Sequence, residues 1–131
     1  MKGQSLVEFS ISLVIILILL SGSVEFGIAL FQYIQLRDAA QEGALFGSVC
    51  QDEKLIEQRA RHASNSPLDM TDENVVGVEI ERVNDLGGDG IKVTMTYEHK
   101  VFMPFAEIFT DEYISLEAHV TDTVLVEGDC K

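Results

Sequence analysis

The chain has 131 residues, 47% of them hydrophobic and 24% charged, and its 22 acidic against 9 basic side chains give a formal net charge of −13. That length and hydrophobic content fit one small ordered domain and exclude a disordered tail. The acidic balance excludes a phosphate-tracking surface, so no nucleic acid partner is expected, and electrostatic attachment to anionic headgroups is equally disfavoured.

In chain order, residues 1–36 contain only Lys2, Glu8 and Glu25 as charges, while the remaining residues carry all the others. From Phe9 to Leu20 only Ser10 and Ser12 are polar, and after Ser21-Gly22-Ser23 the apolar character resumes with Val24, Phe26, Ile28, Ala29, Leu30 and Phe31. Phe9–Val24 alone makes about 24 Å of helix against a hydrocarbon core of roughly 30 Å, and extension to Phe31 suffices. The segment therefore reads as a membrane stem with Glu8 near one face and Glu25 near the other. Lys2, the lone positive charge ahead of it, favours a cytoplasmic N-terminus.

Two processing routes fit this stem. A signal peptidase cutting after Ser23 would release a soluble acidic domain, but Glu8 makes a poor n-region and helical character continues well past Ser23. Alternatively, the short polar leader ending at Gly3, followed by an apolar run with one acid at its fifth position, resembles a type IV prepilin processing site. GQSLVEF at 3–9, VEFG at 24–27 and RDAAQEGALFG at 37–47 together resemble the TadE-like pseudopilins, or minor pilins, of Tad/Flp-type (type IVc) pili and tight-adherence secretion systems. The resemblance implies that a prepilin peptidase cleaves after Gly3, leaving Gln4 as the new N-terminus, Glu8 as fifth mature residue and Phe9 as the aromatic after it. It also implies association with other pilin-like subunits and the Tad assembly machinery.

Cleavage creates a charged amine at Gln4 that needs a counter-charge wherever stems pack in lipid, and Glu8 of a neighbouring subunit supplies one; such pairing fixes axial register more than it adds stability. The plainer alternative seats Glu8 among headgroups. Glu25 is open between a solvated interfacial acid and an inter-subunit or partner contact.

Beyond the stem, Ile28, Phe31, Ile34 and Leu36 keep helical spacing, and Ala39, Gly43 and Gly47 recur every four residues, a stripe that admits close approach by a facing helix or a flat sheet. The spacing predicts one helix from Gln4 to about Ser48. A second helix is predicted over 53–65, with Leu55, Ile56, Arg59 and Ala63 on one side and Ser66-Pro67 ending it. Alternation at Val76, Val78 and Ile80, at Ile91, Val93, Met95 and Tyr97, and at Ile114, Leu116, Ala118, Val120, Val124 and Val126 predicts three strands, with a hairpin connection at Asn84–Gly90. The fold class is α+β: a long N-terminal helix serving as membrane stem and scaffold, a short second helix, and a three-stranded antiparallel β-meander packed on the helix.

Catalytic patterns are scarce, and no enzymatic activity and no cofactor are expected. His62, His99 and His119 form no metal spacing, and neither a nucleophile elbow nor a phosphate-binding glycine loop occurs. The acids at Asp69–Asn74 and at Asp85 and Asp89 have oxygens for Ca²⁺, but an EF-hand register puts Gly87 at position three and Thr96 at position twelve, so turn chemistry accounts for them. Cys50 and Cys130, the only cysteines, form an even pair in the part expected outside the cell, which predicts a disulfide there and free thiols in a reducing cytosol. The apolar run Val101–Phe109 serves either as a lid on the core or as a partner or membrane contact.

The expected organisation is a leader at 1–3, a transmembrane stem at 4–33 and an extracytoplasmic head at 34–131. The expected function is that of a single-pass pseudopilin supporting a Tad/Flp-type pilus by lateral helix packing. A secreted acidic domain and a permanent anchor of a secretion complex are the alternatives.

Overall fold

The computed structural model describes residues 2–64, 67–85, 88–103, 111–125 and 130. Helix α1 spans Lys2–Gly47 without a break. No proline interrupts it, and two serines within the apolar stretch bond back to the helix: the Ser10 hydroxyl donates to the Leu6 carbonyl and the Ser23 hydroxyl to the Leu19 carbonyl, each at 2.9 Å. Such back-bonding makes serine tolerable where no water is available. At the far end the Ser48 hydroxyl bonds the Leu45 carbonyl at 2.7 Å and the Cys50 amide bonds the Phe46 carbonyl at 2.9 Å, closing the last turn.

Helix α2 (Glu53–Arg61) starts where the Asp52 side chain accepts from the Lys54 and Leu55 amides, and it carries Glu53 in its first turn and Arg59 and Arg61 in its last. Both charge placements suit the helix dipole. It ends at Arg61, short of the expected 65; Asn65 and Ser66 lie outside the described residues. Its buried face is Ile56, Ala60 and Arg61, whereas Leu55, Arg59 and Ala63 are exposed. The buried Arg61 guanidinium bonds the Met70 and Val76 carbonyls at 3.1 and 3.0 Å and pairs with Glu57 at 2.8 Å. One side chain thereby fastens the α2–β1 connection to the first strand.

Strands β1 (Val76–Asp85), β2 (Gly88–Lys100) and β3 (Tyr113–Thr123) form one antiparallel sheet in the order β1-β2-β3. The α+β architecture read from the sequence is the observed one. The first ladder closes with Asp85 opposite Gly88; Leu86 and Gly87 of the hairpin lie outside the described residues, as does Val126 of the expected third strand.

Period-two alternation turns Val76, Val93, Met95 and Ala118 towards α1 and leaves Gly77, Glu79, Glu117 and His119 on the outer face. Against that inner face lie Leu36, Ala39, Ala40 and Ala44 of α1, with Ile56 and Ala60 of α2 alongside. The small-residue stripe thus packs on both of the elements it suits. A Cβ on Gly43 would stand 3.0 Å from the Ala60 Cβ and 3.4 Å from Val93, and one on Gly47 would stand 3.1 Å from Ile91 and 3.2 Å from Ile56. The missing side chains set how near the helix lies to the sheet.

Candidate functional site

Along α1 the surroundings change abruptly. Large apolar side chains from Leu6 to Leu20 are exposed, with Leu6 at 68% and Leu19 at 66%, whereas Leu36, Ala39, Ala40 and Ala44 are fully buried. A bare apolar cylinder of that length greatly exceeds the patches that soluble monomers present to water, and it is long and apolar enough to cross a membrane. Among the sequence-predicted residues, Gln4, Glu8 and Phe9 sit on this exposed half, and a Cβ on Gly3 would meet nothing within 4 Å. Glu8 and Glu25 are separated by about 26 Å of helix and do not meet.

Glu25 occupies the junction. Its Oε1 lies 2.6 Å from His99 Nε2 and accepts from the Phe102 amide at 3.3 Å. The His99 side chain is 1% exposed and that of Glu25 12%. The contact arises because two periodicities converge. On α1, Glu25 and Gly43 share a direction and Leu36 lies within about 20° of it, so the acid belongs to the face that packs on the head. On β2, His99 has the parity of Ile91, Val93 and Met95 and faces the same helix. Helix and strand run in opposite senses, pairing Gly47 with Ile91 near one end and Glu25 with His99 near the other.

The 2.6 Å contact between carboxylate and imidazole is short, just under the roughly 2.7–2.9 Å usual for a charge-assisted N–H···O bond. Its Nδ1 is buried without a hydrogen-bond partner, so the ring's one strong polar contact is directed at the stem. Phe102 stands edge-on to the imidazole, with ring centres 6.4 Å apart, and is otherwise 76% exposed. Residues 104–109 of the Val101–Phe109 segment lie outside the described residues; within it, Val101 is buried and Phe102 is not. Sequence reasoning missed His99 and Arg61.

At the opposite end of the head, Cys50 and Cys130 stand at disulfide distance and are joined, with Cα atoms 4.9 Å apart and 80 positions of chain between them. Nearby, the Leu125 amide donates to the Ser48 carbonyl at 2.8 Å, so the end of β3 and the end of α1 meet there. The acidic segment after α2 forms local turns: Asp69 accepts from the Thr71 hydroxyl at 2.5 Å and the Thr71 amide at 3.0 Å, and Asp72 accepts from the Asn74 amide at 2.9 Å. The two Thr71 donors, the hydroxyl first, hold the Asp69 carboxyl below its ordinary range. Among the described residues no group of three or more His, Cys, Asp or Glu side chains converges as a metal site would.

An apolar N-terminal helix able to span a membrane, continuing as the scaffold of a small α+β head, defines a stem-and-head protein compatible with a single-pass anchor. The family model described as TadE-like protein matches residues 3–45. That stretch takes in GQSLVEF, VEFG and nearly all of RDAAQEGALFG, so the resemblance read from those segments is borne out over α1. No curated protein and no solved structure matches the chain.

Proposed function

We propose that this protein is a membrane-anchored minor pilin of a Tad/Flp-type pilus, processed after Gly3 by a prepilin peptidase and assembled by lateral packing of α1. It is a structural subunit, with its N-terminus cytoplasmic and its head outside. The observation that carries this reading is the division of one unbroken helix into a bare apolar half and a half buried in the head, with the TadE-like match lying across both. Continuity of the helix through Ser21–Ser23 favours the uncut stem over release by signal peptidase. Glu8, on the exposed half and far from Glu25, is available to the Gln4 amine of a neighbouring subunit, with Phe9 beside it in the same contact.

The test is the mature N-terminus. Coexpression with the cognate prepilin peptidase, followed by intact-mass analysis of the membrane fraction, should give a chain starting at Gln4, and Gly3→Ala should block the cut. A chain starting at Val24 would replace this reading with secretion of an acidic head. Glu8→Ala should leave cleavage and membrane localisation intact and reduce co-purification with other pilin-like subunits; undiminished assembly would reduce Glu8 to an interfacial acid.

A further inference from the structure

Between α1 and the base of the sheet lies an apolar groove of about 440 Å³, walled by Ala29, Leu30 and Tyr33 on the helix and by Val101, Met103 and Leu116 on the head. Glu25, also in its lining, is the one ionisable carboxylate there, and its Oε1 is engaged by His99 and the Phe102 amide. The polar group that would make such a groove hostile to hydrocarbon is thereby hydrogen-bonded from the head side.

We propose that this groove holds an acyl chain of an outer-leaflet phospholipid. The assignment rests on the membrane-anchored reading above, and three observations carry it. The first is position. If Glu8 marks the inner face, about 20 residues from Phe9 fill the hydrocarbon core and end near Ile28, which places the Gly22–Ala29 part of the groove at the outer edge of the core. The second is continuity. On the helix face that carries Gly22, Phe26, Ala29 and Tyr33, the wall of the groove continues in helical phase the exposed apolar surface of Ile11, Ile15 and Ile18, with the serines at 21 and 23 to either side, and Phe26 and Leu30 of its lining are exposed. The third is size. A helix about 10 Å across fills roughly 400 Å³ per turn, so a groove of about 440 Å³ takes up no more than about one turn of a neighbouring stem, while its lining, apolar apart from Glu25 and the Tyr33 hydroxyl, suits a single hydrocarbon chain.

The test uses the full chain in nanodiscs of phosphatidylethanolamine and phosphatidylglycerol containing a phosphatidylglycerol with a diazirine on one acyl chain. After irradiation, adducts are mapped by peptide mass spectrometry. Labelling at Met103 and Leu116 should approach that of stem residues such as Leu17 and exceed that of Leu125, an exposed apolar residue near the disulfide end, several-fold. Filling the groove from either wall, by Ala29→Trp or by Leu116→Trp, should abolish the Met103 adduct and leave the Leu17 adduct unchanged; persistence of the Met103 adduct in both variants would overturn the proposal. A labelled stem with Met103 no higher than Leu125 removes the groove assignment alone. An unlabelled stem removes the membrane reading and the groove assignment together. With photo-methionine at position 103, adducts to a second copy of the chain instead of to lipid would give the groove to a neighbouring stem and overturn the proposal.

Discussion

Replacing His99 with alanine tests the junction directly. The substitution removes the principal partner of Glu25 and leaves a carboxylate, 12% exposed, with a hydrogen bond from the Phe102 amide at 3.3 Å. Stranding one member of a buried pair costs about 3–5 kcal/mol. At about 4–8 °C per kcal/mol for a domain of this size, the melting temperature should fall by roughly 12 °C or more. Glu25→Gln is the informative control, because an amide oxygen still accepts from the imidazole and from Phe102, so its cost should be about 1 kcal/mol. The double variant Glu25→Leu/His99→Leu removes both polar groups and should be far less damaging than the sum of the single leucine variants. Thermal unfolding of the full chain in detergent micelles, followed by near-ultraviolet circular dichroism, gives the value for each of these five variants, and amide exchange at Phe102 reports whether the base of the sheet has detached. A loss below about 1 kcal/mol for His99→Ala, or simple additivity in the double variant, would refute the pairing as a structural tie.

Cys50→Ser should lower head stability by about 4–5 kcal/mol in the chain-entropy treatment, read as a reduced melting temperature with membrane insertion unchanged; protein from the envelope that alkylates at both thiols without reductant would contradict an oxidised pair. Gly43→Leu should destabilise by at least the 1–3 kcal/mol typical of overpacking, since the Ala60 Cβ it meets cannot swing aside, and an unchanged denaturant midpoint would show that α1 does not pack this closely. The Asp69 carboxyl should titrate below the usual aspartate value of about 3.9, and Thr71→Val should move its midpoint upward by removing the leading cause. Because the folded value is lowered, the small stabilisation from this bond is complete above the ordinary value and vanishes as pH falls through the folded one; coincident NMR titration curves for the two proteins would reject the assignment.

The strands were legible because alternation carries across β1, β2 and β3 with few defects, and the scaffold helix because Ala39, Gly43 and Gly47 mark a face that something must approach. Less legible was α2. Leu55 and Ile56 are adjacent and similarly apolar, and it is Ile56 that packs against Gly47, with Ala60 of the same face against Gly43. Arg61 showed in the sequence only as the i,i+4 partner of Glu57, and its burial was not legible, since its other acceptors are the backbone carbonyls of Met70 and Val76. The Glu25–His99 contact was within reach: strand parity carried past Tyr97 turns His99 inward, and helical phase carried back from Leu36 turns Glu25 towards the head. What hid it was treating stem and head as separate bodies, which left each polar residue with no prospective partner.

The cross-link at the end of α1 also decides how the head bears mechanical load. Tension applied between the stem and the C-terminus enters through the helix, reaches Cys50 and crosses directly to Cys130, so the sheet lies outside the force path. Without that bond, the 80 intervening positions would pay out roughly 270 Å of slack at about 3.4 Å per residue. With it, a subunit pulled along its axis stays short and stiff, and the pull is handed on to whatever holds its ends.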